Sequence, residues 1–432
     1  MKTYSVILIG AGHRGRAYTN IMKMLPEKFK VVAVADTVEG RRNTIQQWHN
    51  LPDEMCFSSW EEILARPKMA DIALICTMDD MHYEPAMKAI ELGYDLLLEK
   101  PAAQTVQECV DIALAAKKKG VKVLVCHVLR YTPFFRKVKQ LLVDGVIGEP
   151  MSLMQVEAVG NVHQSHSYVR GNWHSEEKTT PMLLAKSCHD IDMIQWLLDK
   201  PCKKVQSFGE LTYFTEKNAP EGAPVRCIDG GCPIEDTCPY NCRKLYYDDK
   251  NNTWFRRACT TGIAKEDVAT DEEVMTALQT TDYGLCVFHA NNDVVDHQIV
   301  NMEFEGGITA SFTMNAFNAG GRYIRIFGTK GELYANASDS EITVYTFADK
   351  AHKKIAIAAA DESINGGHGG GDDGIIQVLY DSLNGDDAGI CAADIETSIQ
   401  NHLIVFAAEK ARRNQTVEDV DAFFASCGMN NK

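Results

Sequence analysis

The first fifteen residues restrict the fold more than any other part of the sequence. An apolar run, Ser5–Ile9, leads into the motif Gly10-Ala-Gly12-His-Arg-Gly15, and a helical pattern follows it. Glycine at these three positions allows a tight turn, a close approach of the backbone to a pyrophosphate, and close packing of helix on strand. The motif therefore predicts a dinucleotide-binding turn between a strand and a helix.

Asp36 supports this prediction. It follows the second apolar run, Val31–Ala35, and a carboxylate at that place accepts hydrogen bonds from the ribose hydroxyls of adenosine. Because the same carboxylate would repel a 2′-phosphate, we expect NAD rather than NADP. The alternative role for Asp36 is the N-cap of a helix over Thr37–His49, and the two roles are compatible.

Over residues 1–128, short apolar runs alternate with amphipathic segments. The runs are continuous, as they are in a parallel sheet that is covered on both faces. The predicted strands are Ser5–Ile9, Val31–Ala35, Ile72–Cys76, Asp95–Leu98 and Val121–Cys126, and the predicted helices include His82–Leu92 and Val106–Lys119. This order predicts βαβ units with right-handed crossovers, and hence an NAD-binding Rossmann domain over 1–128.

The pattern changes after residue 128 and indicates a second domain over 129–432. Helices are predicted at Pro133–Val143, at Met182–Leu198 and behind Asp394, and strands at Met151–Val159, Gln298–Phe304, Ile308–Phe317, Tyr323–Gly328 and Glu341–Phe347. The glycine-rich run at 366–374 predicts a loop, and the polar, cysteine-rich stretch at about 215–283 an insertion. We therefore expect an α/β Rossmann domain followed by an α+β domain with a large open, mostly antiparallel sheet.

Charge and hydropathy exclude several classes of function. The chain has 44 Lys and Arg against 59 Asp and Glu, and a net charge of −15 repels nucleic acid and anionic lipid. No apolar run approaches the ~20 residues that span a bilayer. The short apolar run at the N-terminus continues into the glycine motif and does not indicate a signal peptide. We expect a cytoplasmic protein with no nucleic-acid or membrane partner, and mostly reduced thiols among its 14 cysteines.

Further motifs follow the glycine turn in a fixed order. They are Cys76-Thr77-Met-Asp-Asp-Met-His82, Glu99-Lys100-Pro101, His127-Val-Leu-Arg130-Tyr131-Thr-Pro133, Gly145-Val-Ile-Gly148, His189-Asp190-Ile191-Asp192 and Gly328-Thr329-Lys-Gly331-Glu332. This order resembles the Gfo/Idh/MocA family of NAD(P)-dependent sugar and cyclitol oxidoreductases, over most of the chain except Thr215–Tyr283. The resemblance implies a carbohydrate substrate and a homo-oligomer formed through the open sheet. It also implies cofactor contacts from Gly10, Gly12, His13, Arg14, Gly15, Asp36, Thr77, His82, Glu99 and Lys100.

Two residues are the main catalytic candidates, Lys100 and His189. Lys100 stands at the carboxyl end of a predicted parallel strand, where its ammonium can stabilise an alkoxide that loses hydride. His189 matches the catalytic histidine of the family and can accept the hydroxyl proton. The simpler alternatives are a surface lysine at a strand end and a helix-start histidine bonded to a carbonyl.

The sequence departs from the family four residues before His189. Members that oxidise polyols usually carry an aspartate there, whereas this chain has Ala185, followed by Lys186. If the segment is helical, Lys186 shares a face with His189 and its charge favours the neutral imidazole, so we include Lys186 among the catalytic candidates.

The substrate side of the site is expected to combine hydrogen-bond donors with flat aromatic faces. Such side chains crowd the stretch before the His189 helix and the segment after the last Rossmann strand. The candidate substrate residues are Arg130, Tyr131, Tyr168, Arg170, Asn172, Trp173 and His189. His368 in the glycine-rich run could also reach a substrate, and it could equally have no role.

Four cysteines of the insertion are close together. Cys227, Cys232, Cys238 and Cys242 lie within sixteen residues, with prolines and glycines to supply turns. Four thiolates can converge on one tetrahedral ion, so the cluster predicts a structural zinc site, in which Cys259 could replace one ligand. The alternatives are reduced, partly buried thiols or a redox disulfide.

Three functions are consistent with these residues. The first is reversible hydride transfer between the nicotinamide and a ring hydroxyl of a sugar, glycoside or cyclitol. The second is NAD-dependent glycoside cleavage, in which C3 oxidation is followed by elimination, water addition and re-reduction. The third is a non-catalytic, NAD-binding sensor.

Overall fold

The computed structural model describes residues 2–264, 269–357, 367–386 and 394–431. Its first sheet is entirely parallel and has the strand order β3-β2-β1-β4-β5-β6, which is the doubly wound order of dinucleotide-binding folds. The strands are β1 Tyr4–Ile9, β2 Phe29–Ala35, β3 Cys56–Phe57, β4 Ile72–Ile75, β5 Asp95–Leu98 and β6 Val123–Val125. Ligands of such sheets bind at the carboxyl ends of the strands, on either side of β1.

Helices cover both faces of this sheet and continue into the second half of the chain. Their bounds are α1 His13–Lys23, α2 Glu39–His49, α3 Trp60–Leu64, α4 Tyr83–Leu92, α5 Val106–Lys119, α6 Pro133–Val143, α7 Asn161–His163, α8 Met182–Ala185, α9 Cys188–Leu198, α10 Thr253–Cys259, α11 Asp271–Thr280, α12 Gly367–Asn384, α13 Ile395–Asn414 and α14 Val420–Ser426. Of the described helices, none is long and apolar enough to cross a bilayer.

The second sheet is mixed and largely antiparallel, with the order β14-β13-β12-β11-β7-β10-β9-β8-β15. Its only parallel pair within the described residues is β7 with β10. The strands are β7 Pro150–Ala158, β8 Cys202–Glu210, β9 His297–Phe304, β10 Ile308–Asn315, β11 Gly321–Gly328, β12 Gly331–Asn336, β13 Glu341–Thr346, β14 Ala351–Ala356 and β15 Glu418–Asp419. One face of this sheet packs on α9 and α13, and the other presents alternate residues to solvent.

The predicted fold class is confirmed, with corrections to individual elements. The predicted helix Met182–Leu198 is two helices, because the chain leaves helical geometry at Lys186 and Ser187. The predicted loop at 366–374 is wrong from Gly371 onward, where the chain is helical. Within residues 367–374, His368, Gly369 and Gly370 have left-handed backbone angles, and residue 366 lies outside the described residues.

The insertion has its own small core. Two helices, α10 and α11, pack against the turn Arg243–Asp248 through buried residues such as Tyr246, Phe255 and Leu278. The sequence predicted an insertion here but neither of these helices. These helices were missed because their apolar residues are few and the segments between them are polar.

Candidate active site

The glycine turn has the geometry that its motif predicts. Gly10 has φ +91°, and a Cβ there would lie 2.5 Å from the carbonyl oxygen of Cys76. A Cβ on Gly15 would lie 2.1 Å from the carbonyl oxygen of Gly10, so only glycine lets α1 pack this closely. A Cβ on Gly12 would meet no atom within 4 Å. The backbone at Gly12 thus faces open space at the N-terminus of α1, which fits a pyrophosphate.

The Asp36 carboxylate points toward this turn. Its Oδ2 accepts the backbone N–H of Ala11 at 2.7 Å, and its Oδ1 accepts that of Val38 at 2.8 Å. Each carboxylate oxygen keeps a second lone pair for a ribose hydroxyl. The alternative role as N-cap is wrong, because α2 begins after Val38. His13 is the first residue of α1 and lies beside the same turn.

The Arg14 side chain is bound by two carboxylates of the protein. Its Nε donates to Glu99 at 2.9 Å, and its two terminal nitrogens donate to Asp372 at 2.9 and 2.6 Å. Tyr18 donates to the same oxygen of Glu99 at 2.8 Å. Burial opposes the charge of Glu99, but the Arg14 guanidinium holds the pKa of this carboxyl below its usual value. The ion pair of Arg14 with Glu99 therefore stabilises the glycine turn.

Lys100 is the second residue after β5, and its backbone N–H donates to the carboxylate of Glu99. Its ammonium donates to the backbone carbonyl of Ala185 at 2.7 Å. Ala185 is the last residue of α8, and the last carbonyls of a helix lack partners within the helix. This contact places the Lys100 side chain across the gap between the parallel sheet and the α8–α9 segment.

His189 is the second residue of α9 and is buried. Burial, together with the Lys100 ammonium and the nearby ring of His127, holds the pKa of His189 well below its usual value. The two imidazole rings are 5.8 Å apart, edge to face. His189 is therefore neutral at physiological pH and available as a proton acceptor.

The contacts of Lys186 differ from the predicted helical arrangement. The helix break directs its ammonium to Glu157, 3.3 Å away, and Glu157 also contacts Arg322 at 2.5 Å. Arg322 in turn pairs with Asp190 through two bonds of 2.7 and 3.1 Å. The cation that affects His189 most is Lys100, and the charge of Lys186 bears instead on His163 and His368.

The motif after β4, which includes Thr77, Asp79 and His82, contributes further side chains to the site. His82 places its two ring nitrogens 2.7 Å from the carbonyl of Pro101 and 3.1 Å from that of Thr77. Asp79 accepts the indole N–H of Trp173 at 3.0 Å. Burial raises the pKa of Asp79 above its ordinary value even though the cationic Lys100 opposes this.

The candidate substrate residues divide into two groups. Trp173 contacts the β4 motif, Asn172 donates to the sulfur of Met78 at 3.8 Å, and the buried ring of Tyr168 lies 6.1 Å from that of Trp173. Thus Tyr168, Asn172 and Trp173 lie together against the motif after β4, whose Asp79 is near enough to Lys100 for the lysine charge to lower its pKa.

The second group consists of Arg130, Tyr131 and Arg170, whose contacts are with other parts of the protein. Arg130 forms a buried, two-bonded ion pair with Asp192 at 2.6 and 2.7 Å, and Tyr131 is buried next to it in the chain. Arg170 donates to the carbonyls of Leu285 and Tyr240 at the base of the insertion. These two arginines hold backbone and helix in place, so the sequence prediction that they bind substrate has no support in their contacts.

Sequence reasoning missed His127 and Asp79 as members of the site. His127 is buried, and neither of its ring nitrogens has a hydrogen-bond partner among the described residues. Its burial lowers its pKa, so it is a second neutral imidazole next to His189. Its position directly after β6, at the carboxyl end of a parallel strand, was the available signal.

The predicted zinc site is not supported. Over the described ranges, which include Cys227, Cys232, Cys238 and Cys242, no group of three or more His, Cys, Asp or Glu side chains could hold a metal ion. Cys242 is fully buried, whereas the other three are partly exposed. Cys259 packs in the insertion core, and its thiol donates to the carbonyl oxygen of Arg256. Three of these cysteines line one cavity, but within the described residues they form no group that could hold an ion.

The fold and this site define an oxidoreductase with an NAD-binding Rossmann domain. Residues 4–127 match the family model for the NAD-binding Rossmann fold of the Gfo/Idh/MocA oxidoreductases, and residues 139–418 match the C-terminal alpha/beta domain of the same family. The chain therefore belongs to the Gfo/Idh/MocA family.

Two curated proteins and one solved structure illustrate the similarity. The oxidoreductase YteT of Bacillus subtilis is 26% identical over 412 residues, which cover 88% of this chain and 92% of YteT. The 2,7-anhydro-N-acetylneuraminate hydratase of Mediterraneibacter gnavus is 27% identical over 207 residues, which cover 46% of this chain and 50% of that protein. The scyllo-inositol dehydrogenase from Lactobacillus casei, solved with NAD(H) and scyllo-inositol, has a TM-score of 0.64 at 16% identity, with 97% and 99% of the two chains covered.

Proposed function

We propose that this protein is an NAD-dependent oxidoreductase that acts on a ring hydroxyl of a sugar, glycoside or cyclitol. The observation that carries this proposal is the Lys100 ammonium, which the Ala185 carbonyl holds near the buried His189. Burial and the charge of this ammonium hold the pKa of His189 well below its usual value. A fixed cation beside a neutral imidazole is what removal of a hydroxyl proton requires.

The residues around Gly12 fit NAD. The open backbone at Gly12 and the N-terminus of α1 would hold the pyrophosphate, and Asp36 would hold the adenosine ribose. Bound there, NAD would supply the acceptor for the hydride. The contacts predicted for His13, Thr77 and His82 remain proposals of the same site.

The chain's own side chains then divide the work on the substrate. His189 accepts the proton of the hydroxyl, and the Lys100 ammonium stabilises the negative charge that develops on its oxygen. The Trp173 ring offers a flat face to the sugar ring, and Asn172 and Tyr168 offer hydrogen bonds. The Ala185 carbonyl keeps Lys100 aimed into the gap.

NAD-dependent glycoside cleavage is the second candidate. The similarity to a protein named as an anhydro-sugar hydratase favours it, because hydration of a sugar changes no net oxidation state. A ketone at C3 acidifies the C2 proton, and His127, a second buried neutral imidazole 5.8 Å from His189, is placed to accept a further proton. A non-catalytic NAD-binding sensor is the third candidate and predicts binding without turnover.

One experiment separates the three. The purified protein is assayed with free sugars, cyclitols and aryl glycosides in deuterated water, and free NADH, released aglycone and deuterium at C2 are measured together. We expect stoichiometric NADH and no deuterium from the dehydrogenase. The glycosidase would release aglycone with deuterium at C2 and no net NADH. Nucleotide binding with none of these signals would indicate the sensor.

The setting of the enzyme also remains a proposal. We infer a cytoplasmic protein, since the cysteines that the structure describes form no disulfide. We further infer a homo-oligomer through the outer face of the second sheet, with a small carbohydrate as its other partner.

A further inference from the structure

The insertion contains a cavity whose wall is unusually rich in sulfur. Four thiols line it, together with one guanidinium and several apolar side chains, and they belong to Cys227, Cys232, Cys238 and Cys286. None of these residues belongs to the candidate active site. The cavity lies between the turn at Cys227–Asp229 and the segment around Cys286.

The guanidinium is that of Arg170, and it has no carboxylate partner among the described residues. Arg170 is 2% exposed and donates to the carbonyls of Leu285, at 2.8 Å, and Tyr240, at 2.7 Å, and its guanidinium also interacts with the Tyr246 hydroxyl. Its Nη1 is buried without a hydrogen-bond partner. A buried cation favours negative charge nearby, and the charge of Arg170 lowers the pKa of the Cys227, Cys238 and Cys286 thiols against the effect of burial.

One thiol is favoured as the thiolate, that of Cys227. Its sulfur accepts the backbone N–H of Cys242 at 3.4 Å. The Cys242 thiol pairs with the same sulfur, and its Sγ lies 3.9 Å from the carbonyl oxygen of Gly284, which is the other acceptor for its one hydrogen. Donation from this thiol lowers the pKa of Cys227 to about 6 against the effect of burial. The same pairing raises the pKa of Cys242.

Exposure differs between the two partners in the way that a dithiol switch needs. Cys227 is partly exposed at the cavity wall, whereas Cys242 is fully buried behind it. An oxidant in solution therefore meets Cys227 first, and Cys242 is reached only from inside the protein. This order separates an attacking thiolate from a resolving thiol.

We propose that Cys227 and Cys242 form a reversible intrachain disulfide, with Cys227 as the site of attack. A peroxide oxidises the Cys227 thiolate to a sulfenic acid as its O–O bond breaks, and hydroxide leaves. The Cys242 sulfur then attacks the Cys227 sulfur, the S–S bond forms, and water leaves with the Cys242 proton. A dithiol reductant reverses the reaction and is itself oxidised to a disulfide.

The position of the pair connects it to the wall of the active site. Cys242 directly precedes the turn Arg243–Asp248, in which the Tyr246 hydroxyl lies 3.0 Å from Nδ1 of His166. His166 belongs to the same helical segment, Gln164–Val169, as Tyr168. A disulfide would therefore change the covalent anchoring of a segment that packs behind Tyr168.

The first test uses the full-length wild-type protein and needs no variant. The alkylation rate of each cysteine by iodoacetamide is measured between pH 5 and 9 by peptide mass spectrometry. We expect a midpoint near pH 6 for Cys227, and at that pH an alkylation about tenfold faster than that of Cys56, which is partly exposed and whose pKa burial raises. A Cys227 midpoint no lower than that of Cys56 overturns the proposal.

The second test is chemical. The wild-type protein, Cys242→Ser and the matched control Cys232→Ser are treated with hydrogen peroxide and then digested without reduction. We expect a Cys227–Cys242 peptide pair in the wild type and in Cys232→Ser, reversed by dithiothreitol. In Cys242→Ser we expect a Cys227 sulfenic acid that dimedone traps. Disulfides that join other cysteines, or a stoichiometric metal that must be removed before any thiol reacts, overturn the proposal.

Discussion

Arg14 in the glycine turn and Asp372 near the start of α12 are joined by two hydrogen bonds of 2.9 and 2.6 Å. The carboxylate of Asp372 is 1% exposed, and the Nδ1 of His368 lies 3.1 Å from it. The side-chain hydrogen bonds from His368 and Arg14 hold the pKa of Asp372 far below its usual value despite burial. A segment close to the C-terminus thus completes the support of the cofactor turn.

This ion pair is expected to contribute to stability. Asp372→Asn leaves the buried Arg14 guanidinium with one carboxylate in place of two, and breaking a buried pair costs about 3–5 kcal/mol. Urea unfolding at neutral pH measures the free energy of unfolding. The control is Asp373→Asn, at the exposed neighbouring position. Equal effects of the two substitutions would show that Arg14 does not depend on Asp372.

Lys100→Met and His189→Ala are expected to remove turnover and to leave NAD binding intact. The first removes the charge that stabilises the alkoxide and the second the proton acceptor, so each lowers kcat by at least ~10²-fold. Calorimetric titration with NAD verifies binding, and Lys88→Met, at an exposed lysine of α4, is the matched control. Unchanged kcat in either variant removes that residue from the mechanism.

NAD is expected to bind more tightly than NADP by at least about tenfold, because Asp36 repels a 2′-phosphate. Asp36→Asn removes the negative charge and should narrow the ratio of the two dissociation constants. Arg42 donates to the backbone oxygen of Asp36 at 2.6 Å and is therefore engaged in the turn. Titration of both nucleotides against both proteins is the measurement. Tighter binding of NADP to the wild type contradicts the assignment.

Acid is expected to destabilise the protein well before its carboxylates titrate. Burial lowers the pKa of His166 and of His402 to about 3, and it lowers that of His189 as well. The unfolded chain binds protons on these histidines near pH 6.5, whereas the folded chain does not. Stability is therefore complete above that pH and falls below it, by about 1 kcal/mol per buried histidine between pH 6.5 and 5.5.

Urea unfolding across this pH range measures the loss. His166→Phe is the informative variant, because the ring of His166 already stacks on Phe255 with 4.2 Å between centroids. This variant lacks one histidine that takes up a proton on unfolding. Its free energy of unfolding should therefore change less with pH than that of the wild type, by the contribution of one histidine. A free energy of unfolding that is constant from pH 6.5 to 5.5 would contradict this reading of the buried imidazoles.

The outer face of the second sheet is expected to be an interface between copies of the chain. Cross-strand pairing places Phe208, Ile299, Thr313, Val156 and Tyr323 in one row across five adjacent strands, and four of these five side chains are apolar. Phe208 is 53% and Tyr323 42% exposed. Exposed apolar side chains grouped in this way are typical of an association surface.

Light scattering after size exclusion measures the oligomeric state. The double variant Ile299→Glu with Tyr323→Glu should be a monomer, because it places charge in the row. The control, Met24→Glu, changes a residue that is 63% exposed at the end of α1. A monomeric wild type would refute the interface.

The sequence predicted elements well where local signals mark their ends. Helix α5 was predicted at its observed bounds because Thr105 and Glu108 form a capping box and Gly120 ends it. Helix α6 begins with Pro133 at its first position. Strand β8 was missed because Lys203, Lys204 and Gly209 obscure its alternating pattern.

The site was predicted less completely, because its contacts span long distances in the chain. No local pattern could show that Arg14 meets Asp372, 358 residues away, or that Arg170 holds Leu285 and Tyr240. The effect of Lys186 was inferred from a continuous helix, and the break at Ser187 redirects its charge to Glu157. The family resemblance pointed to His189 and the end of a predicted strand to Lys100, but the fold is needed to show which charge acts on which imidazole.

The break between α8 and α9 has a consequence for sequence drift. The group that holds Lys100 is the carbonyl oxygen of Ala185, which belongs to the backbone and is exposed by the end of a helix. Replacement of the Ala185 side chain by another that fits the same space leaves this acceptor unchanged. Position 185 can therefore vary among small residues while the hydrogen bond from Lys100 is kept. A change that moves the end of α8 would break this bond.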